Sequence, residues 1–188
     1  MEHKDFKFDA HKGFEACWAQ AMMYQILQSD SYEPETYICS PLRAETVKAK
    51  EMNVSAVRAY MCYANMKMGQ NAVAPHAFLP MVLDDEVPEE RDVALRFGLV
   101  ILKKCKRMYV CGGKLSSGML GEINRAFELG KEIRVFNRGL YGVINEIAEK
   151  NCYNLDLLVY DNAHRYLSLS AQEIIPHEDD GEGDEDAM

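Results

Sequence analysis

The chain has 188 residues, 48% of them hydrophobic, which is enough for one domain-sized core, and its net charge is −9. Seven acids (Glu178, Asp179, Asp180, Glu182, Asp184, Glu185 and Asp186) stand in the final stretch, so the rest of the chain carries only −2. A body without a basic footprint excludes non-specific binding to a nucleic-acid polymer, and the acidic tail over residues 177–188 reads as disordered and solvated.

Six cysteines, at positions 17, 39, 62, 105, 111 and 152, form neither a CxxC motif nor a Cys/His cluster. Zinc-ligand spacing is therefore absent, and neither a metal nor a cofactor is expected. The N-terminus has no apolar signal core, and the longest aliphatic run, Leu99 to Leu102, is far too short to span a bilayer. These features predict a cytoplasmic protein with reduced thiols and no membrane partner.

Residues 13–28 place Phe14, Trp18, Met22 and Ile26 at helical spacing, a stripe suited to core or dimer packing. The first strand is Tyr37 to Ser40, ended by Pro41, with Arg43 in the loop. A long helix from Glu45 to Gly69 follows, with Val47, Val54, Val57, Met61 and Ala64 expected on its buried side. Ala72 to Pro75 is a second strand, and His76 stands just past its end. There a histidine either satisfies itself by local hydrogen bonds or faces a ligand. The acidic loop from Phe78 to Glu90 is either a binding lid or a solvated connector. Glu89 or Asp92 opens the next helix, which carries Val93, Phe97, Val100 and Ile101 towards Cys105.

Met108 to Cys111 is the third strand, then come the bend Gly112-Gly113, Ser116, Ser117 and a helical stretch holding Glu122; Ile133 to Phe136 is the fourth strand. Short strands alternating with helices predict a doubly wound α/β domain, flavodoxin- or Rossmann-like. Its parallel sheet should have four to five strands with helices on both faces. Beyond it, Val143 to Lys150 reads as helix, with Leu155–Tyr160 and Tyr166–Leu169 as strands around a turn at Asp161-Asn162. The organisation expected is an N-terminal helical extension (1–33), the α/β domain (34–138), a C-terminal elaboration (139–176) and the tail.

Strand, glycine bend and helix N-terminus in that order make the usual place for such a sheet to hold an anionic or sugar-bearing ligand. Ser116 or Ser117 caps the helix, and Gly118 lets a ligand approach the backbone. Glu122 lies within two turns of the cap, where the helix dipole favours the carboxylate. An ionised carboxylate beside a phosphate-sized nest suits glycosyl transfer or glycoside cleavage. The same residues are equally at home as an ordinary cap and a stabilising early acid.

Together, Tyr37-Ile-Cys-Ser-Pro-Leu-Arg43, the helix bearing Asn53, Ala56 and Tyr60, Ala74-Pro-His76, Leu83-Asp-Asp85 with Pro88-Glu-Glu-Arg91, and Ser116-Ser-Gly-Met119 with Glu122 resemble the nucleoside 2-deoxyribosyltransferase-like superfamily. The match runs over about residues 35 to 137 and is nearest to its bacterial and phage branch. The resemblance implies that Glu122 attacks the anomeric carbon of a deoxyribose, forming a glycosyl ester that water or another base resolves. It also implies that Tyr37 contacts the nucleophile and the sugar. Ser116 stands where nucleoside-using transferases carry aspartate and deoxynucleoside 5′-monophosphate N-glycosidases carry serine. This suggests a 5′-phosphate pocket of Ser116, Ser117, Gly118 and Arg43, with Ser40, His76, Asp85 and Met119 as further substrate contacts.

Two positions depart from the superfamily pattern. Its base-handling aspartate falls at Gly98, and an aspartate before the third strand is replaced by Lys106. Asp84, Asp85 or Asp92 is a candidate substitute for the first, and His76 is a candidate acid. The small-molecule partner implied is a nucleotide or nucleoside, and the assembly implied is a homodimer or higher homo-oligomer. Met22, Met23, Met61, Met66 and Met68 supply either an interface or core. The readings are an N-glycosidase or deoxyribosyltransferase, a nucleotide-binding or sensing module without efficient turnover, and an interaction protein using the N-terminal helix and tail.

Overall fold

The computed structural model describes residues 33–175 together with 21, 23–26, 28 and 29. Tyr37, Ile38 and Cys39 offer no polar face to solvent, and they form β1 (Thr36–Cys39), buried along its whole length. β2 (Ala72–Val73) lies on one side of β1 and β3 (Arg107–Val110) on the other, followed by β4 (Glu132–Val135) and β5 (Leu158–Tyr160). Strand order is β2-β1-β3-β4-β5 and every pairing is parallel, with Tyr37 opposite Met108 and Cys39 opposite Val110. The doubly wound α/β architecture expected from the alternating pattern is thus present, with five strands. Chain direction across the sheet reverses between β1 and β3, which opens a crevice at their carboxyl ends.

The connecting helices are α1 (Val47–Met68), α2 (Pro88–Lys104), α3 (Ser117–Glu128) and α4 (Arg138–Lys150), with a short α5 (Ala171–Ile174) at the end. Thr46 caps α1 by accepting from the Ala49 amide, and Gly69, at φ 63°, ends it in the left-handed conformation. Proline opens α2 at its first position. The core holds Val57, Tyr60 and Ala64 from α1, Phe97, Ile101 and Leu102 from α2, Ile123 and Phe127 from α3, and Ile144 from α4.

Several details differ from the expectations. The buried stripe of α1 is Ala56, Val57, Tyr60 and Ala64, whereas Val47 is 75% exposed in the first turn, and Val54 and Met61 are only half-buried. β2 stops after two residues because Pro75, which has no amide hydrogen, begins a 3-10 turn. The acidic loop is no solvated connector: Phe78, Leu79 and Val82 are buried, and Leu79–Met81 forms a second 3-10 turn. Tyr166–Leu169 is not a strand. Arg165–Ser168 coils into a 3-10 turn that stacks Tyr166 on Tyr63 of α1 at 4.8 Å and buries Leu167.

Residues 21, 23–26 and 28 are helical, and Met23 and Ile26 join the core. Phe14, Trp18, Met22 and the acidic tail lie outside the described residues. Met61 and Met68 pack partly against the core, whereas Met66 is 80% exposed. Among the described residues no helix is long and apolar enough to cross a membrane.

The turn after β3 depends on Gly112, at φ 87°. Its amide donates to the Leu167 carbonyl, and an added Cβ would lie 3.3 Å from Pro41 and 3.4 Å from the Tyr60 hydroxyl. Gly112→Ala therefore meets both backbone strain and close contact. Urea denaturation should show a loss of about 1 to 3 kcal/mol.

Candidate functional site

Alternation along β1 sends Tyr37 and Cys39 to the same face of the sheet, the face that α3 covers. Tyr37 Oη donates to Glu122 Oε1 at 2.7 Å. The 3-10 turn past β2 carries His76 to the same place, with Nε2 3.6 Å from that oxygen. Glu122 is 7% exposed, and its other oxygen, Oε2, is buried without a hydrogen-bond partner. Three segments far apart in sequence therefore meet on one carboxylate at the carboxyl edge of the sheet.

The environment decides the charge state. Burial would push the Glu122 carboxyl up, but the adjoining His76 imidazole, then the Tyr37 hydroxyl, outweigh it and hold the group below the ordinary carboxylate range. For His76, burial pushes the pKa down, but the Glu122 carboxylate, aided by Asp85, leaves it above the usual imidazole value. Burial and the neighbouring carboxylate push the Tyr37 hydroxyl and the Cys39 thiol well up, so both stay protonated. Glu122 stands in the second turn of α3, past the strong reach of the helix dipole. Its ionisation rests on His76 and Tyr37, and this corrects the expectation drawn from the cap.

Gly98 of α2 faces the same pair. A Cβ built on it would lie 3.1 Å from Tyr37 Oη and 3.7 Å from Glu122 Oε1. The glycine makes room for the tyrosine hydroxyl, and a carboxylate here would add a like charge beside Glu122. Asp84 and Asp92, two of the proposed substitutes, are exposed, and Asp92 pairs with Arg96 at 2.9 Å. Asp85 does reach the site. Its Oδ2 accepts from Arg43 Nε at 2.7 Å and from Arg91 Nη1 at 2.9 Å. Lys106 is at the opposite end of β3, paired with Glu35 at 3.3 Å, so its departure from the pattern does not touch the site.

Around Glu122 lie two contiguous recesses. One, of about 70 Å³, is walled by Ser40, Arg43, His76 and Asp85 on one side and by Ser116, Ser117, Gly118 and Met119 on the other. Every substrate-contact candidate read from the sequence thus meets Glu122 in one hollow. Ser116 caps α3 by accepting from the Met119 amide at 3.2 Å, and Met119 itself is packed into the core. Ser40 Oγ is buried and has no hydrogen-bond partner. The second recess, of about 40 Å³, is largely apolar, formed by Pro75, Leu79, Pro80, Leu83, Ala94 and Leu95 with Gly98 and Glu122.

Sequence reasoning missed Leu42, Arg91, Leu95 and Cys39 as wall and contact residues. Leu42 and Arg91 stood inside the matched motifs, and Cys39 follows from Tyr37 by strand alternation. Leu95 left no signal, since only tertiary packing decides which face of α2 meets the hollow. Among the described residues no cluster of His, Cys, Asp or Glu is arranged to hold a metal.

Residues 34–136 match the family model described as Domain of unknown function (DUF7768), more than half of the chain, and the chain belongs to that family. No curated protein and no solved structure matches it.

The coupling between His76 and Glu122 has a measurable sign. Histidine NMR titration should place His76 above the usual imidazole value in the wild type and lower in Glu122→Gln, where burial is opposed by Asp85 alone. Because the folded-state pKa of His76 is raised, its stabilising contribution is complete below its unfolded value and is lost as pH rises through the folded value. The lowered Glu122 works oppositely: its contribution is present above the unfolded carboxyl pKa and is lost as pH falls through the folded one.

Proposed function

We propose that in this member of the family Glu122 is the nucleophile of an N-glycosidase or 2-deoxyribosyltransferase acting on a nucleotide. The observation that carries the reading is the Tyr37 Oη–Glu122 Oε1 hydrogen bond at 2.7 Å, set in a hollow walled by Arg43 and Ser116. A carboxylate kept ionised at the rim of a parallel sheet, beside a capped helix N-terminus, has the charge and placement to attack an anomeric carbon.

The chemistry follows from the neighbours. A Glu122 oxygen forms a bond to C1′ as the N-glycosidic bond breaks, and that electron pair leaves with the base. In this reading His76, 3.6 Å from Glu122 and raised in pKa by it, supplies the proton the departing base needs, a role that an aspartate has in the superfamily the sequence resembles. Tyr37 holds the carboxylate in one orientation and cannot compete as a base, since its hydroxyl stays protonated. Water, or a second base, then attacks C1′, the ester bond breaks and the carboxylate is restored. The apolar recess at Leu79, Leu83 and Leu95 suits the flat face of a base. Arg43 and the first turn of α3 suit a 5′-phosphate, with Ser116 accepting it where an aspartate would repel it.

One observation favours a second reading, a nucleotide-binding module with slow turnover. Gly98 gives the base no carboxylate partner, and Glu122 Oε2 is buried. The two readings part in a screen of nucleosides and deoxynucleoside 5′-monophosphates for released base. The enzyme reading predicts release that falls at least about a thousandfold in Glu122→Gln while nucleotide affinity persists. Measurable affinity with no release by the wild type identifies the binding module. Arg43→Ala should raise KM for the monophosphate about tenfold, the size of one charge-assisted phosphate contact, and change nucleoside KM little.

A further inference from the structure

A larger hollow lies beyond the recess that holds Glu122. It measures about 490 Å³, against about 70 Å³ for the recess, and the two share Arg43 and Ser116. Its size falls in the range of about 300 to 1,000 Å³ usual for small-molecule sites.

Its walls suit an anion. It sits over the crevice between β1 and β3, floored by the Gly112-Gly113 turn, and receives the first turn of α1 at Thr46 and the cap of α3 at Ser116. The first amides of each helix lack intrahelical partners, and both helix dipoles are positive at these ends. Lys114 adds positive charge and Arg43, paired with Asp85, borders the hollow, against Glu45 as the acidic wall residue. At Gly113 an added Cβ would meet nothing within 4 Å, so this backbone is open to a ligand. Ser40, whose buried hydroxyl has no partner, lines the recess where the chain passes into this hollow at Pro41. Ser170 and Gln172 close the far wall from a segment outside the matched family span.

Resting on the nucleotide reading of the Glu122 recess, we propose that the substrate is extended at its 5′ end. Its class is a nucleoside 5′-diphosphate or a molecule joined through a diphosphate, with the second phosphoryl group lodged between Lys114, the Gly113 backbone and the α1 N-terminus.

Calorimetry on the Glu122→Gln protein, without added divalent metal, tests this with matched nucleoside 5′-mono- and 5′-diphosphates of each common base. The diphosphate should bind about tenfold or more tightly than the monophosphate of the same base. Lys114→Ala should shrink that ratio, and Gly113→Asp, which adds a negative charge at an open, exposed position, should abolish it while circular dichroism stays unchanged. Equal affinity for mono- and diphosphates overturns the extension and leaves the nucleotide reading standing, as does a ratio that survives both substitutions. Absence of binding by every nucleotide removes the nucleotide reading, and the extension with it.

Discussion

A carboxylate withdrawn from water must be paired or it protonates, and the carboxyl end of the sheet in this molecule is arranged around that constraint. Glu122, on the helix after β3, is 7% exposed, and the groups that keep it charged come from β1 and from the turn after β2. Tyr37 is a donor because it is buried in the strand, and the Glu122 carboxylate beside His76 raises the imidazole above its usual value. Each group's state is set by the others, so the strand register and the 3-10 turn at Pro75 are as much part of the site as the side chains. Gly98 completes the arrangement by what it lacks, since any larger residue there would press on the tyrosine hydroxyl.

The sheet topology explains why these segments meet. In an all-parallel sheet with order β2-β1-β3-β4-β5, the loops after β1, β2 and β3 emerge at one edge, and the reversal between β1 and β3 keeps two of them apart. The Glu122 recess and the larger hollow at Lys114 are both lined by the loops after β1 and β3 and share Arg43 and Ser116. Arg43 borders both, held by Asp85, which also binds Arg91. This clasp joins the β1 loop to the segment before α2, and under the proposed function a phosphate would compete with Asp85 for the Arg43 guanidinium.

Much of this was legible in the residues. Short apolar runs ended by Pro41, Pro75 and Gly112 located the first three strands, and Gly69 marked the end of α1, because those residues act locally on the backbone. The hollow itself was legible too, since strand ends in a parallel sheet must cluster and the motif residues stand at those ends. What could not be read were choices made by tertiary packing. The buried side of α1 is centred on Ala56 and Tyr60, although Val47 and Val54 fit the period equally well. Tyr166 to Leu169 has strand composition, yet stacking on Tyr63 and the hydrogen bond from Gly112 to Leu167 coil it. Likewise the cause of Glu122 ionisation lies in His76 and Tyr37, 46 and 85 positions away in sequence, where a local argument sees only the helix cap.

The central claim is that Glu122 becomes covalently bonded to the sugar, and a slow-resolving 2-fluoro-2-deoxyribosyl nucleotide tests it directly. The fluorine destabilises the positive charge developing at C1′ and slows release of the ester more than it prevents formation. Intact-protein mass spectrometry should then show one added fluorosugar unit, with peptide mapping placing it on Glu122 and none on Glu122→Gln. A substrate that loses its base with no mass added at Glu122, or a label mapped to another carboxylate, contradicts the account.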